Sequence, residues 1–238
     1  MPMKIDNYSD DILKDISFIL ESGEHLIILG SNGVGKTTLA KVLCGITPST
    51  AVSIDTITPS ETYGKRRAKL INYIPPKLNI FDEFITVHEF LELGFMGGAV
   101  RAQHPTRIND VLKKLHITHL AEKACKMLSS GESQLLLIAS ALLHNARYTI
   151  FDEPTANLDP KKMQLLFGLL KDDHLLQSKL IITHNLDLAY KLGYNILFLE
   201  EGAIKFYGSS SDFFTQEHLD RLYDGSVEKH KNNILVKL

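Results

Sequence analysis

The chain has 238 residues, of which 44% are hydrophobic and 23% charged, and its formal net charge is −2. This composition is ordinary for a globular protein with a sizeable core, and the length suits one large or two small domains. The near-neutral charge excludes a general electrostatic attraction to nucleic acid, so we expect no nucleic-acid partner.

Hydropathy and cysteine usage favour a cytoplasmic protein. The apolar run LLLIASALL at residues 135–143 falls well below the roughly 20 residues of a membrane-spanning helix. The N-terminus carries acidic residues and lacks the apolar segment of a secretory signal. Cys44 and Cys125 share no short metal-ligand spacing, which is typical of reduced thiols. The basic run KRRAK at residues 65–69 is more typical of a solvated loop or helix face than of a binding patch.

Strand-like runs lie at residues 16–20, 25–29, 51–55 and 70–74, and others follow at 148–151, 180–183, 195–199 and 203–207. Between them, from about residue 87 to 145, the apolar spacing becomes helical. We therefore expect an α/β protein. Its P-loop nucleotide-binding core, with an antiparallel β subdomain, would cover residues 1–80 and 146–238, and an inserted helical subdomain would cover 81–145. The polar segment 226–238 is left unassigned.

A glycine-rich octet, GSNGVGKT at residues 30–37, lies between the second strand and a helix-like run at 37–45. It fits the phosphate-binding P-loop G-x-x-x-x-G-K-[ST], and this context makes a chance match weak. The glycines let backbone N–H groups converge on a phosphate, Lys36 supplies charge for the β- and γ-phosphates, and Thr37 ligates Mg²⁺. We expect a nucleoside triphosphate and Mg²⁺ to bind through Gly30, Ser31, Asn32, Gly33, Val34, Gly35, Lys36, Thr37 and Thr38.

Two adjacent carboxylates end the strand-like run YTIFDEP at residues 148–154. In a P-loop protein Asp152 would hold the Mg²⁺ shell, and Glu153 would orient and deprotonate a water in line with the γ-phosphate. Two solvated acids at a strand end are the alternative, and the P-loop makes it the weaker one. Asp152 is therefore predicted to be a metal residue and Glu153 a catalytic one.

The segment LSSGE at residues 128–132 precedes a long apolar helix. Ser129 can cap that helix, while Ser130 and Gly131 leave N–H groups at its positive end. An ordinary N-cap would be the default interpretation of this segment alone. However, LSSGE stands about twenty residues before FDEP, ANLD follows at 156–159, and IITH ends at His184. This order, over essentially the whole chain, resembles the ATP-binding-cassette (ABC) ATPases: P-loop, signature, Walker B strand, D-loop and switch histidine.

The resemblance implies a head-to-tail dimer with ATP sandwiched between two copies. Ser129, Ser130 and Gly131 would meet the γ-phosphate of ATP held by the second copy, and Asp159 would help to align the two sites. His184 would hydrogen-bond the γ-phosphate and the attacking water, which makes it the second expected catalytic residue.

The resemblance also assigns Tyr8, which lies 28 residues before Lys36, where these ATPases often place a ring that stacks on adenine. A surface tyrosine near a flexible terminus is a fair competing interpretation.

The sequence departs from the family pattern at two positions. Ser130 replaces the first glycine of the usual LSGGQ or LSGGE, which preserves the backbone donors if φ is not strongly positive there. Pro76 takes the place of a glutamine, because the family usually has Pro-Gln at the end of this strand. That glutamine commonly contacts Mg²⁺ and the attacking water. A weak isolated ATPase is therefore expected, unless Lys77 or Asn79 compensates.

Two further segments, FITVHEFLELG (84–94) and residues 207–227, are similar to bacterial importer ATPases for iron-siderophore, haem, cobalamin and zinc or manganese. This implies an ATP-hydrolysing subunit, peripheral on the cytoplasmic face of the membrane. Its partners would be a multi-span permease subunit and, indirectly, a solute-binding protein. A permease helix would dock between residues 78–84 and 90–96, on apolar residues that include Ile80, Phe81, Phe84, Phe90 and Phe95.

Two alternatives remain open for the function. The first alternative is an ATP-dependent dimerisation switch with weak turnover, which the missing glutamine motivates. The second is a cassette that acts on ribosomes or DNA. Proteins of the latter kind usually carry two cassettes or long basic insertions, and neither is present.

Overall fold

A computed structural model of the chain describes residues 2–95, 104–172, 176–231 and 233–236. The first strands form a three-stranded antiparallel sheet in the order β2-β1-β4. Buried and exposed side chains alternate along β1 and β2, as expected of strands with one face on a core. The three strands are β1 (Met3–Tyr8), β2 (Ile16–Leu20) and β4 (Val52–Ile54).

A second sheet of six strands lies at the centre of the protein, in the order β5-β6-β7-β3-β8-β9. Its first five strands run parallel, and β9 pairs antiparallel with β8 at the edge. Strands β3, β6 and β7 are buried at every residue, because helices or the small sheet cover both faces. These strands are β3 (Leu26–Gly30), β5 (Ile71–Ile74), β6 (Tyr148–Asp152), β7 (Ser178–Ile182), β8 (Asn195–Glu200) and β9 (Ala203–Gly208).

The helices are distributed along the chain, and three of them, α3 to α5, follow β5 and precede β6. α5 is apolar over most of its surface and has ten buried residues, because it packs between the central sheet and α3 and α4. The helices are α1 (Lys36–Leu43), α2 (Gly64–Leu70), α3 (Val87–Leu93), α4 (His104–Lys114), α5 (Ser130–His144), α6 (Pro160–Asp172), α7 (Leu186–Leu192), α8 (Ser210–Phe213) and α9 (Gln216–Tyr223).

Two hydrophobic clusters lie on opposite faces of the central sheet. One joins α1 and the small antiparallel sheet to the face that carries Leu26, Ile150 and Leu180. The other joins α3 to α9 to the face that carries Phe151 and Ile181. Each buried aliphatic side chain contributes about 1.5–3 kcal/mol, so the sheet is fixed from both sides and its strand ends are rigid.

The carboxyl ends of β3, β6 and β7 meet at one edge of the sheet, because these strands are parallel and adjacent. The loops that leave this edge carry the segments 30–37, 152–153 and 183–184. Open parallel sheets place their ligand sites at such an edge. Within the described ranges, no helix combines the length and apolarity needed to cross a bilayer.

The expected α/β class is confirmed, with an antiparallel sheet and helices inserted between two sheet strands. The division at residues 80/81 and 145/146 stays a prediction. The basic run 65–69 lies on α2, in agreement with a helix face. The sequence analysis did not predict strand β1 or helices α6 to α9. It also did not predict the C-terminal hairpin formed by β10 (Val227–His230) and β11 (Asn233–Val236) in the unassigned segment.

Candidate functional site

The loop between β3 and α1 has a backbone that only glycine fits at two positions. Gly30 has φ 148° and Gly35 has φ 105°. A Cβ on Gly30 would lie 2.4 Å from the Leu199 carbonyl oxygen, and one on Gly35 would lie 2.6 Å from a methyl carbon of Leu13. The motif glycines therefore serve a tight curl of the backbone at the start of α1, where its N–H groups are open to an anion.

The Lys36 ammonium is folded back into this loop. Its Nζ donates to the carbonyl oxygens of Gly30 at 2.7 Å and Ser31 at 2.8 Å, and the residue is 7% exposed. Burial lowers the pKa of Lys36, while the carboxylates of Glu153 and Asp152 oppose that shift. A charge is thus kept at the mouth of the loop by contacts that an incoming anion can replace.

Asp152, at the end of β6, receives two hydroxyl hydrogen bonds on one oxygen. Thr37 Oγ1 donates to Asp152 Oδ2 at 2.8 Å, and Tyr73 Oη donates to the same oxygen at 2.9 Å. Burial, and then the neighbouring Asp152 carboxylate, raises the pKa of Tyr73 well above its usual value. The Tyr73 hydroxyl therefore keeps its proton and donates the hydrogen bond to Asp152. Sequence reasoning placed Thr37 and Asp152 together and missed Tyr73, for which no local motif exists.

Glu153, the next residue, has φ 50°, a left-handed conformation that a non-glycine residue adopts only when its surroundings enforce it. Its N–H donates to the Ile182 carbonyl at 2.9 Å, and its Oε1 is hydrogen-bonded to Nδ1 of His184 at 3.0 Å. Its Oε2 is buried and has no hydrogen-bond partner in the described part of the chain. A carboxylate that is held in place and keeps one oxygen without a hydrogen bond can act as a general base.

These groups surround a cleft of about 320 Å³ at the sheet edge. Its polar lining combines N–H donors, one ammonium, two hydroxyls and two carboxylates, so it suits a phosphate group. Its oxygen atoms are the ligand type that Mg²⁺ prefers. Val34 is buried beneath the loop, and His184 reaches the cleft through Glu153. The lining residues are Ile12, Asn32, Gly33, Gly35, Lys36, Thr37, Thr38, Asp152 and Glu153.

Tyr8 does not line this cleft. Its hydroxyl donates to Asp10 Oδ2 at 2.9 Å, and Asp10 Oδ1 accepts from the N–H groups of Ile12 at 2.8 Å and Leu13 at 2.7 Å. Burial and Asp10 raise the pKa of Tyr8 to about 12. Tyr8 therefore anchors the loop that brings Ile12 to the P-loop, and Ile12 is a lining residue that sequence reasoning did not find. Adenine stacking by Tyr8 stays a prediction.

The signature segment lies apart from the cleft in this single chain. Ser129 caps α5, since its hydroxyl accepts from the Glu132 N–H at 3.3 Å while Glu132 Oε2 accepts from the Ser129 N–H at 2.7 Å. Ser130 is the first residue of the helix, so serine needs no positive φ there. A Cβ on Gly131 would lie 3.1 Å from the Lys162 ammonium.

The D-loop aspartate lies beside this signature segment. Asp159 accepts from the Lys162 N–H at 3.0 Å and pairs with the Lys162 ammonium at 3.2 Å, and none of the residues Ser129, Ser130, Gly131 and Asp159 lines the cleft. The structure therefore assembles the P-loop set with residues 152, 153 and 184, and holds the signature and D-loop as a second, separate set.

The expected docking groove shows exposed aromatic residues. Phe81 is 98% and Phe84 is 84% exposed. Ile80, Phe90 and Phe95 instead pack partly buried against the core, so three of the five apolar residues named for this groove are core-facing. Met96, at the end of the expected groove, lies outside the described residues.

Comparison with known proteins agrees with this geometry. Residues 13–156 match the family model described as ABC transporter. The chain is 31% identical over 93% of its length to the phosphonates import ATP-binding protein PhnC of Fusobacterium nucleatum, of which it covers 96%. It is 28% identical over 90% of its length to the lipopolysaccharide export system ATP-binding protein LptB of Escherichia coli, of which it covers 91%. A putative ABC transporter ATP-binding protein of Treponema denticola is 31% identical over 82% of the chain, which spans only 39% of that relative.

Solved structures share the fold. A structure described as the ATP-binding subunit of an ABC transporter superposes with TM-score 0.83 at 24% identity, covering 94% of this chain and 98% of that one. cbiO1 of Clostridium perfringens, described as part of the ABC transporter complex cbiONQ, superposes with TM-score 0.75 at 25% identity, covering 92% of each chain. With a matching family model over more than half of its length, the chain belongs to the ABC transporter family.

Proposed function

We propose that this chain is the ATP-binding and ATP-hydrolysing subunit of an ABC transporter, peripheral on the cytoplasmic face of a membrane. One observation carries the proposal: the P-loop, the paired Thr37 and Asp152, and a Glu153 carboxylate with a free, buried Oε2 converge on one cleft. Family membership supports a nucleotide as the occupant of that cleft.

In this proposal the loop N–H groups and Lys36 bind the β- and γ-phosphates of ATP. Thr37 and Asp152 hold Mg²⁺, which supplies positive charge to the phosphate oxygens when bound. Glu153 takes a proton from the attacking water on its carboxylate, whose Oε2 has no hydrogen-bond partner among the described residues. His184, hydrogen-bonded to Oε1, keeps that carboxylate oriented.

We further propose that two copies form a head-to-tail dimer with ATP between them. The separation of the signature set from the cleft supports this, because Ser129, Ser130 and Gly131 stand at a helix N-terminus and do not line their own cleft. Asp159, which lies beside the signature segment, would help to align the two sites.

Import of a metal or metal chelate is the finer proposal, with a multi-span permease and a solute-binding protein as partners. It rests on the similarity of residues 84–94 and 207–227 to such importers. The relatives named above are called an import and an export protein, so they support transport without distinguishing a cargo.

A dimerisation switch with weak turnover is the second candidate. It is favoured by Pro76, since neither this residue nor Lys77 or Asn79 lines the cleft. Steady-state phosphate release from Mg²⁺-ATP by the purified chain separates the two candidates. Continuous turnover supports the transporter ATPase, whereas an ATP-dependent dimer without phosphate release supports the switch.

Docking to the permease is tested by purifying the chain with detergent-solubilised membranes and identifying the multi-span protein that accompanies it. Phe81→Asp is expected to lose that protein while ATP binding stays at the wild-type level. Tyr63→Asp is the matched control, because Tyr63 is also exposed, at 76%, and lies outside the groove. Equal recovery with Phe81→Asp and with the control would contradict the groove as the docking site.

A further inference from the structure

The Tyr73 hydroxyl has no part in the function described so far, yet it contacts the central acid of the cleft. Tyr73 lies on β5, in register with Ile150 of the neighbouring strand β6, which ends at Asp152. Its ring packs against the cluster beneath α1. Its hydroxyl reaches Asp152 at 2.9 Å, although Tyr73 does not line the cleft.

The two hydroxyls on Asp152 share one oxygen and so fix the carboxylate. Thr37 and Tyr73 both donate to Oδ2, and no hydrogen bond to Oδ1 is found within the described ranges. A carboxylate held by one donor can rotate about its broad terminal torsion, whereas two donors on the same oxygen restrict that rotation. Asp152 is 1% exposed, so water cannot easily replace either donor.

The second donor matters because Thr37 has two tasks. In the proposed function the Thr37 oxygen ligates Mg²⁺, so its hydrogen bond to Asp152 depends on how the metal turns the side chain. Tyr73 has no such task and keeps its hold on Asp152 in either state. It also lies three residues before Pro76 on the same segment, where the side chain offers no polar group to the cleft.

We propose that Tyr73 is a positioning residue for the metal site: its hydroxyl orients Asp152 towards Mg²⁺. The inference rests on the proposed function, since it concerns the same Mg²⁺-nucleotide cleft. It predicts that removal of one hydroxyl, remote from the nucleotide, weakens metal affinity specifically.

Tyr73→Phe tests this, because it keeps the ring and removes only the hydroxyl. Tyr148→Phe is the matched control: Tyr148 is fully buried on β6, and its hydroxyl donates to the Leu20 carbonyl at 3.2 Å, away from the cleft. A fluorescent ATP analogue is titrated at fixed concentration with Mg²⁺, and Mn²⁺ binding in the presence of ADP is followed by electron paramagnetic resonance. Binding without metal is measured in EDTA.

For Tyr73→Phe we expect the half-saturating Mg²⁺ and Mn²⁺ concentrations to rise about tenfold, with nucleotide affinity in EDTA unchanged, and with Tyr148→Phe at the wild-type value. Equal metal dependence for Tyr73→Phe and the control would overturn the inference while leaving ATP binding intact. A wild-type protein without Mg²⁺-dependent nucleotide binding would instead overturn the proposed function, and this inference with it.

Discussion

Replacing Lys36 by methionine tests how the loop uses its buried charge. Methionine keeps an unbranched side chain of similar length and removes the ammonium. In the free protein that ammonium donates to Gly30 and Ser31, and burial lowers its pKa. Loss of these two hydrogen bonds is partly offset because the folded protein no longer buries a charge. We expect the unfolding free energy to change by about 1 kcal/mol or less, a shift of a few degrees in Tm.

The effect on ATP affinity should be larger. An ammonium about 4 Å from one phosphate charge is attracted by about 4 kcal/mol at an effective dielectric constant of about 20. Release from the Gly30 and Ser31 carbonyls costs about 1–2 kcal/mol. The net loss in Lys36→Met is therefore about 2–3 kcal/mol, which corresponds to a roughly 30- to 150-fold weaker affinity.

Calorimetric titration with Mg²⁺-ATP measures this affinity, and differential scanning calorimetry measures Tm. Lys41→Met is the matched control, because Lys41 is exposed in the last turn of the same helix α1. The control should bind ATP within about twofold of the wild type. An unchanged affinity in Lys36→Met, or an equal loss in both variants, would refute the assignment of the ammonium to the phosphates.

Three further outcomes are expected. Gly30→Ala should destabilise the protein by about 2–4 kcal/mol in urea unfolding, because φ is 148° and the new Cβ would lie 2.4 Å from the Leu199 oxygen; a change below about 0.5 kcal/mol would contradict this geometry. Hydrogen bonding from the Ser129 N–H, opposed by burial and helped by Lys123, lowers the pKa of Glu132 below its usual 4.5. The stabilisation by Glu132 is thus present above that value and lost as pH falls through the lowered pKa, so Glu132→Ala should cost about 1 kcal/mol at neutral pH and nothing once the acid is protonated; a cost independent of pH would be evidence against the cap. Ser129→Arg should abolish the ATP-dependent dimer in size-exclusion chromatography and leave ATP binding by the monomer, whereas a persisting dimer would exclude the sandwich arrangement.

Most strands and long helices could be predicted because their signal is local. Strands β3, β6 and β7 are buried on both faces and appear in the sequence as short β-branched apolar runs. Strand β1 was not predicted, although MKID alternates apolar and charged residues as a half-buried strand does. This alternation is short, and the strand is defined by its pairing with β2 and β4. The C-terminal hairpin was not predicted because its segment is largely polar. Its strands pair with each other and contact α7 and α9.

The site divides in the same way. The P-loop, Asp152 and Glu153 could be predicted because their motifs are contiguous and follow buried strands. The hydrogen bond from Tyr73 to Asp152 joins residues 79 positions apart and depends on the register between β5 and β6. Ile12 reaches the cleft only because Asp10 folds its loop. Such contacts require the fold, since no spacing in the sequence encodes them.

The central claim is that Glu153 is the base of an ATP-hydrolysing site. Glu153→Gln retains the shape and one oxygen of the side chain but removes the basic carboxylate, whose Oε2 has no hydrogen-bond partner among the described residues. The decisive measurement is phosphate release at saturating Mg²⁺-ATP, with ATP affinity measured on the same samples. We predict an affinity within about threefold of the wild type and a rate lower by about 10²- to 10⁴-fold. Release at the wild-type rate by a variant that binds ATP normally would contradict the account.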